Sequence, residues 1–525
     1  MLGNRANQHS FAQIPDVNIG RSQFDRSSAL KDTFDFDYLI PIFVDEVLPG
    51  DTFSLQVNVF ARLSTQLVPI MDNLYMDYFF FYVPNRLVYD NWEKLNGAQT
   101  DPGDTTDYIL PTITAPAVTG FAVDTIYDKF GLPTGIASLV VNNSLPLRCY
   151  NLIWSEWFRD QNLQDTVVTP KDAGPDAPAD FNLLKRGRRH DYFTSALPWP
   201  QKGDAVSLPL GTSAPIVTNF PATPKQLIKD SSGTLFGNSN LGTTTGQMAN
   251  GSGGATFAYL DPNGTMTADL TAATAATINQ LREAFQMQAL FELDARGGTR
   301  FTEILRSHFG VISPDFRLQR PEYLGGGQSK IISHVVPQTS VAASTPQANL
   351  AAYATSQASG NQIGFSKSFV EHGYIIGLAC ARADITYQQG MNRMWNRSTR
   401  YDFFWPKLQQ LGEQEILNKE IYAQGTAADE LVFGYQERYA EYRYKPSEIH
   451  GQFRSTYTTP LDMWHMAEEF SALPTLNDTF ITQNTPIERA LAVPSAPHLL
   501  FDAWFKLRCA RPMMTYSVPA SLGRF

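Results

Sequence analysis

The chain predicts a mainly β protein, and three observations carry that prediction. Segments of two-residue alternation recur along its 525 residues, aromatic residues make up 12%, and 36 glycines with 33 prolines supply the turns that many short strands need. Apolar residues, at 43%, are too many for a disordered chain. The length admits several domains, yet all-β architectures with long connections often stay single. No internal repeat of about 20 to 50 residues points to a propeller or a solenoid.

The strands come first. In DTFSLQVNVF, residues 51–60, Phe53, Leu55, Val57 and Val59 alternate with Thr52, Ser54, Gln56 and Asn58, the pattern of a half-buried antiparallel strand. Residues 76–83, 331–336 and 373–387 read similarly, as does Phe501 to Cys509, where Phe501, Ala503, Phe505, Leu507 and Cys509 share one face. The intervals are too long for hairpins, and three carry helical patterns. The first spans 144–163, with Ser144 as cap, Pro146 in the first turn, and Leu147, Tyr150, Trp154, Trp157 and Phe158 at helical spacing. A second runs from Thr277 to Gly297 and sets Ile278, Leu281, Phe285 and Phe291 on one side. The third starts at Thr459 and presents Leu461, Trp464 and Phe470. All three stripes read as core packing.

Two tracts break this pattern. From Ser231 to Thr277, 34 of 47 residues are Gly, Ala, Ser, Thr or Asn and only Asp261 and Asp269 are charged, so the tract can neither bury a core of its own nor behave as a charged free linker. An excursion displayed on a scaffold fits that composition. Residues 338–360, again without charge, predict a second surface loop.

Chemistry is sparse. Cys149, Cys380 and Cys509 are widely spaced and form no C-x-x-C pair, so they read as core thiols rather than as disulfides or zinc ligands. The eight histidines make no H-x-H or H-E-x-x-H pair, and His465 with Glu468 and Glu469 lacks further ligands. Gly325 to Gly327 precede a strand rather than a helix, which removes a phosphate loop. No G-x-S-x-G elbow appears. The expectation is a protein without catalytic residues, cofactor or metal. Residues 1–20 contain no apolar leader core and no run is long enough to span a bilayer, which predicts a protein kept in the cytosol or released by lysis.

The net charge of −10 argues against a surface that binds nucleic acid all over, but a local patch is present. Lys185, Arg186, Arg188, Arg189 and His190 crowd into KRGRRHDYF, with Tyr192, Phe193 and Trp199 near enough in sequence to stack on bases. A solvated turn and a phosphate contact explain the run equally well.

Long strings then converge on one family. FDFDYLIPIFVDEVLPGDTF at 34–53, LPLRCYNLIWSEWFRDQNLQD at 145–165, KRGRRHDYFTSALPWPQKG at 185–203, EHGYIIGLACARADITYQQG at 371–390, VFGYQERYAEYRYKPS at 432–447 and RCARPMMTYSVP at 508–519 resemble the major capsid proteins of microviruses, in the gokushovirus branch. The resemblance implies one eight-stranded antiparallel jelly roll over 1–525, with long helix-bearing insertions, assembled into a T=1 icosahedral shell around circular single-stranded DNA. It implies that 204–276 forms a three-fold protrusion facing a bacterial host receptor, with Ser231, Asn250, Asp261 and Thr271 as candidate contacts. It further implies a small basic DNA-binding virion protein, a pilot or minor virion protein, and assembly in the host cytoplasm. Lys185, Arg186, Arg188 and Arg189 become candidate DNA contacts. A lectin-like spike and a β-sandwich carbohydrate enzyme are the competing readings; a spike forms a small assembly, and an enzyme needs a cleft with separated carboxylates.

Overall fold

The computed structural model describes residues 20–204 except 106, residue 206, short strands between 216 and 268, 278–341, 347 and 349–516. Ten antiparallel strands form its main sheet: β1 (Ser22–Asp25), β2 (Ser28–Phe34), β3 (Ile40–Val47), β4 (Thr52–Leu63), β5 (Leu74–Pro84), β6 (Glu322–Pro337), β7 (Leu350–Ala358), β8 (Gly364–Ser368), β9 (Gly373–Ala383) and β10 (Leu499–Arg511). Their order is β3-β9-β5-β6-β7-β4-β10, with β1 and β2 sharing the far edge of β10 and β8 pairing the first half of β4.

The alternation in β4 and β10 does what its period dictates. Phe53, Leu55, Val57, Val59, Ala61 and Leu63 are buried while Ser54, Asn58 and Phe60 face out, and β10 pairs β4 from Leu63↔Leu499 to Thr52↔Ala510, so the two apolar faces coincide. Those faces meet Met76, Tyr78 and Phe80 of β5 in one core, which requires the sheet to curl onto itself. The two ends of the strand order then touch. Phe43 of β3 packs on Phe505 of β10 at 5.3 Å, and the Arg511 guanidinium donates to the Glu46 carbonyl at 2.7 Å. This is the antiparallel jelly-roll class expected, with ten strands in the sheet rather than eight.

Strand β6 makes the curl feasible. Its first half pairs β5 and its second half pairs β7, and along the first half the chain at 362–364, leading into β8, and the paired strand β5 approach so closely that side chains are excluded. A Cβ on Gly325 would lie 2.6 Å from the Gly364 carbonyl oxygen, and one on Gly326 2.1 Å from that of Tyr78. The three glycines are thus strand residues chosen for close backbone approach.

A second core lies on the other face of β5 and β9. Every residue of β9 is buried, because Ile375 and Ala379 face the first core while Tyr374, Ile376, Leu378 and Cys380 face the insertions. The cover includes helix α1 (Leu145–Ile153), which lays Leu145, Leu147, Tyr150 and Ile153 on that face. Each such side chain taken fully from water is worth about 1.5–3 kcal/mol. Tyr150 also donates to the Leu39 carbonyl at 2.8 Å and accepts from the Leu184 amide at 2.9 Å, tying β3 to the basic segment.

Several expectations need correction. The first helix ends at Ile153 and passes into a wider π turn, Trp154–Phe158, instead of running to 163. Ser144 does not cap it, since its hydroxyl donates to Asp176 and to the Pro111 carbonyl. Between Thr459 and Phe470 no helix forms beyond one turn at Asp462–Trp464. There the amides of Met466, Glu468 and Phe470 donate to Asp72, Thr386 and Gln389, so long-range partners take the donors that a helix would use. The helix α2 (Ile278–Gly297) is present, but Ala295 is its only buried residue among those described, and Phe285 is 64% exposed. Periodicity told that one side is apolar and not what covers it.

The chain divides into two compact units, Gln201–Asp294 and the rest. The smaller unit carries three nested antiparallel pairs: Ile216–Thr218 with Met266–Ala268, Ile228–Lys229 with Tyr259–Leu260, and Leu241–Thr244 with Gln247–Asn250. Asn250 ends the innermost pair, whereas Ser231, Asp261 and Thr271 lie outside the described residues. Of the 338–360 tract, Leu350–Ala358 is strand β7 inside the main sheet, with Ala354 and Ala358 in the core. Small uncharged residues there serve close packing between strands.

Candidate nucleic-acid interface and assembly surface

The basic segment is built into the protein as an extended strip. Its backbone donates from Arg186 to the Asp37 carbonyl and from Arg188 to that of Ile481, both at 2.8 Å, and accepts at Arg186 from the Gln483 amide at 2.9 Å. Alternate side chains therefore meet different partners. Arg186 pairs with Asp77 and lies 5.3 Å over the Phe79 ring. Arg188 is buried, pairs with Glu468 at 3.1 Å and sits 4.9 Å over Phe480. Lys185 donates to Asn484 at 3.0 Å and covers the Tyr38 ring. Arg189 is the open member, its side chain 61% exposed and 3.7 Å from Asp384.

Asp77 is the hub of this network. It projects from β5, accepts from Arg382 at 2.8 Å and from Gln328 at 2.7 Å, and pairs with Arg186. Burial opposes its ionised form, but the Arg382 hydrogen bond and the two guanidinium charges outweigh it and hold the carboxyl below its ordinary value. Two charges of the KRGRR run are thus committed to carboxylates of the same chain. The neighbouring aromatics are committed too: Tyr192 and Phe193 are buried in a third core with Tyr387, Phe433 and Phe480, beside the small sheet Glu413–Leu417 and Val432–Glu437. The expected stacking role is therefore not available to those two rings.

His465, which the sequence left short of further ligands, spends its ring on hydrogen bonds with the Phe453 carbonyl at 2.8 Å and the Ala467 amide at 3.1 Å, and Glu468 pairs with Arg188. All three cysteines are free and buried, as their spacing suggested. No helix among the described residues is long and apolar enough to cross a membrane.

The sequence reading missed a surface. In MWNRSTRYDFFWPK, residues 394–407, Trp395 is 71% exposed, and Tyr401, Phe403, Phe404 and Trp405 are exposed as well. Arg400 lies 5.1 Å over Tyr401 and 5.4 Å over Trp405, while Arg397 stacks at 4.3 Å on Tyr442. The signal was legible: the run has neither two-residue nor helical alternation, and arginines interrupt its aromatics. A large apolar patch edged by arginine marks a contact surface, with the composition that interface centres favour.

A curled antiparallel sheet wrapped by long insertions, with an aromatic and arginine surface left open, defines a jelly-roll protein that carries a contact surface. The chain belongs to the family described as capsid protein (F protein), which matches residues 12–521. It is 58% identical to the capsid protein VP1 of Bdellovibrio phage phiMH2K over the whole of both chains. It is 44% identical to the VP1 of Chlamydia phage 1, covering 98% of this chain and 97% of that one, and 36% identical to the VP1 of Spiroplasma virus 4, covering 98% of each. It is a major capsid protein of a gokushovirus-type microvirus, a structural component of the virion rather than an enzyme, and capsid membership implies assembly with copies of itself.

Proposed function

We propose that copies of this chain close a T=1 icosahedral shell around circular single-stranded DNA, assembled in the bacterial host's cytoplasm, with residues 204–276 forming the protrusions that meet the host receptor. The observation that carries the shell is the open aromatic strip from Trp395 to Trp405, which a neighbouring protomer would cover. Electron microscopy of purified virions tests it: the expected result is a closed icosahedral particle made of this chain, and a few copies at one vertex would sink the reading.

The genome imposes a further requirement. With a net charge of −10, the protomer does not neutralise packaged phosphates by composition, so cationic contacts must be local or supplied by a small basic virion protein. Of the four basic candidates, Arg189 and Lys185 retain the most freedom to meet phosphate, since Arg186 and Arg188 are paired internally. A pilot or minor virion protein completes the particle. For the protrusion, shortening Ser231 to Thr271 should leave particles intact and lower adsorption to the host; loss of assembly would make the segment structural.

A further inference from the structure

A cavity of about 980 Å³ opens beside the basic strip, entirely within the larger unit. Six arginines line it, Arg159, Arg186, Arg188, Arg189, Arg296 and Arg300, against three carboxylates, Asp160, Glu303 and Glu437. Four of the six pair with carboxylates from outside the cavity: Arg186 with Asp77, Arg188 with Glu468, Arg189 with Asp384 and Arg296 with Glu413. The carboxylates are also spent: Asp160 accepts the amides of Asn162 and Leu163, Glu303 accepts the Arg300 amide, and Glu437 pairs with Arg443.

Arg159 and Arg300 remain, and Arg300 has Glu303 of the cavity wall as its carboxylate partner. Arg159 pairs with no carboxylate among the described residues and donates only to the carbonyls of Ser155 and Gln164. Arg300 reaches the Arg159 carbonyl at 2.6 Å and Glu303 at 3.3 Å, and its Nε is buried without a hydrogen-bond partner. Burial first, and then the Arg300 charge, push the Arg159 pKa down against the opposing charges of Glu156, Asp160 and Asp165. An orphaned guanidinium N–H is costly unless an anion completes it. The same cavity is walled by Trp157, Phe158 and Tyr323; the Arg320 guanidinium covers one face of Trp157 at 4.3 Å and Phe158 packs on Phe79 and Phe81, so Tyr323, 43% exposed, is the freest ring for a base to stack on.

We infer that this cavity binds one nucleotide of single-stranded DNA, its phosphodiester between Arg159 and Arg300 and its base against the Trp157 and Tyr323 wall. The inference rests on the genome-enclosing reading above and locates a contact that the KRGRR run did not predict. Arginine in place of lysine suits it, because the planar fork holds a phosphate by paired hydrogen bonds.

The test is a titration of the full-length protein with a fluorescent oligothymidylate at several salt concentrations, alongside an oligomer with uncharged methylphosphonate linkages. The double variant Arg159→Gln, Arg300→Gln should bind the phosphodiester oligomer about 100-fold more weakly, one order of magnitude per charged hydrogen bond, and its salt slope should fall by about 0.7 for the one phosphate lost. The uncharged oligomer should bind the wild type no better than it binds the variant. If wild type binds no single-stranded DNA, the genome-contact reading fails; if it binds and the variant matches it in affinity and slope, this site fails. Should the variant not fold, photo-crosslinking of bromodeoxyuridine oligomer to wild type decides: adducts on peptides carrying Trp157 or Tyr323 support the site, and adducts only elsewhere overturn it.

Discussion

Asp77 shows how one carboxylate fixes several pieces of chain. It lies on β5, yet its partners come from β6, β9 and the basic strip, so its loss leaves Arg382, a nearly buried cation, with Asp384 as its one carboxylate partner among the described residues. Asp77→Asn should destabilise the protomer by about 3 kcal/mol, the low end of the cost of breaking a buried pair, because Arg382 keeps Asp384, and urea unfolding measures it. The pH dependence follows in sign. A carboxyl whose folded pKa lies below the unfolded value of 3.8 contributes stability above that value and loses it as pH falls through the folded pKa. Wild type should therefore lose stability on acidification below about pH 4, and the Asn variant should lose less over the same window. The thiols give a second expectation at this scale. Burial pushes the Cys380 thiol up to about 12 and raises Cys149 further, so neither should react with a thiol reagent at neutral pH until the protein unfolds.

Among the elements, β6 is the most demanding. Gly326 admits no Cβ because the Tyr78 carbonyl of its paired strand occupies the space. Gly326→Ala should cost about 3 kcal/mol, the upper end of overpacking, whereas Gly20→Ala, with nothing within 4 Å of the added carbon, should be silent; thermal unfolding of the two variants compares them. Legibility at this scale followed the source of the signal. Strands β4 and β10 were readable because one face is apolar and the other polar. Strand β9 was readable as a strand but not as a doubly buried one, since what covers its second face comes from distant insertions. Residues 459–470 read as a helix because spacing alone ignores which amides find partners elsewhere.

At the scale of the molecule, the protomer leaves apolar surface that a monomer would not keep. The strip around Trp395 and Trp405 is its clearest instance. Trp395→Ala with Trp405→Ala removes two anchors of the kind that dominate interfaces. The variant should fold, with a circular dichroism spectrum like wild type, but sediment as small species instead of shells. Intact particles of normal stability would show that the strip faces something other than a neighbour.

The sequence by itself determined the β class, the free thiols, the absence of metal and catalytic motifs, and the family, because these rest on residue type, short period and long matching strings. The tertiary structure alone decided what the charges do. KRGRR reads as five positions in a row, but whether each cation faces solvent, a carboxylate or another cation depends on Asp77, Glu468, Arg159 and Arg300, which the chain brings in from far away. Electrostatic energy depends on distance and burial in space, and neither is written in local spacing.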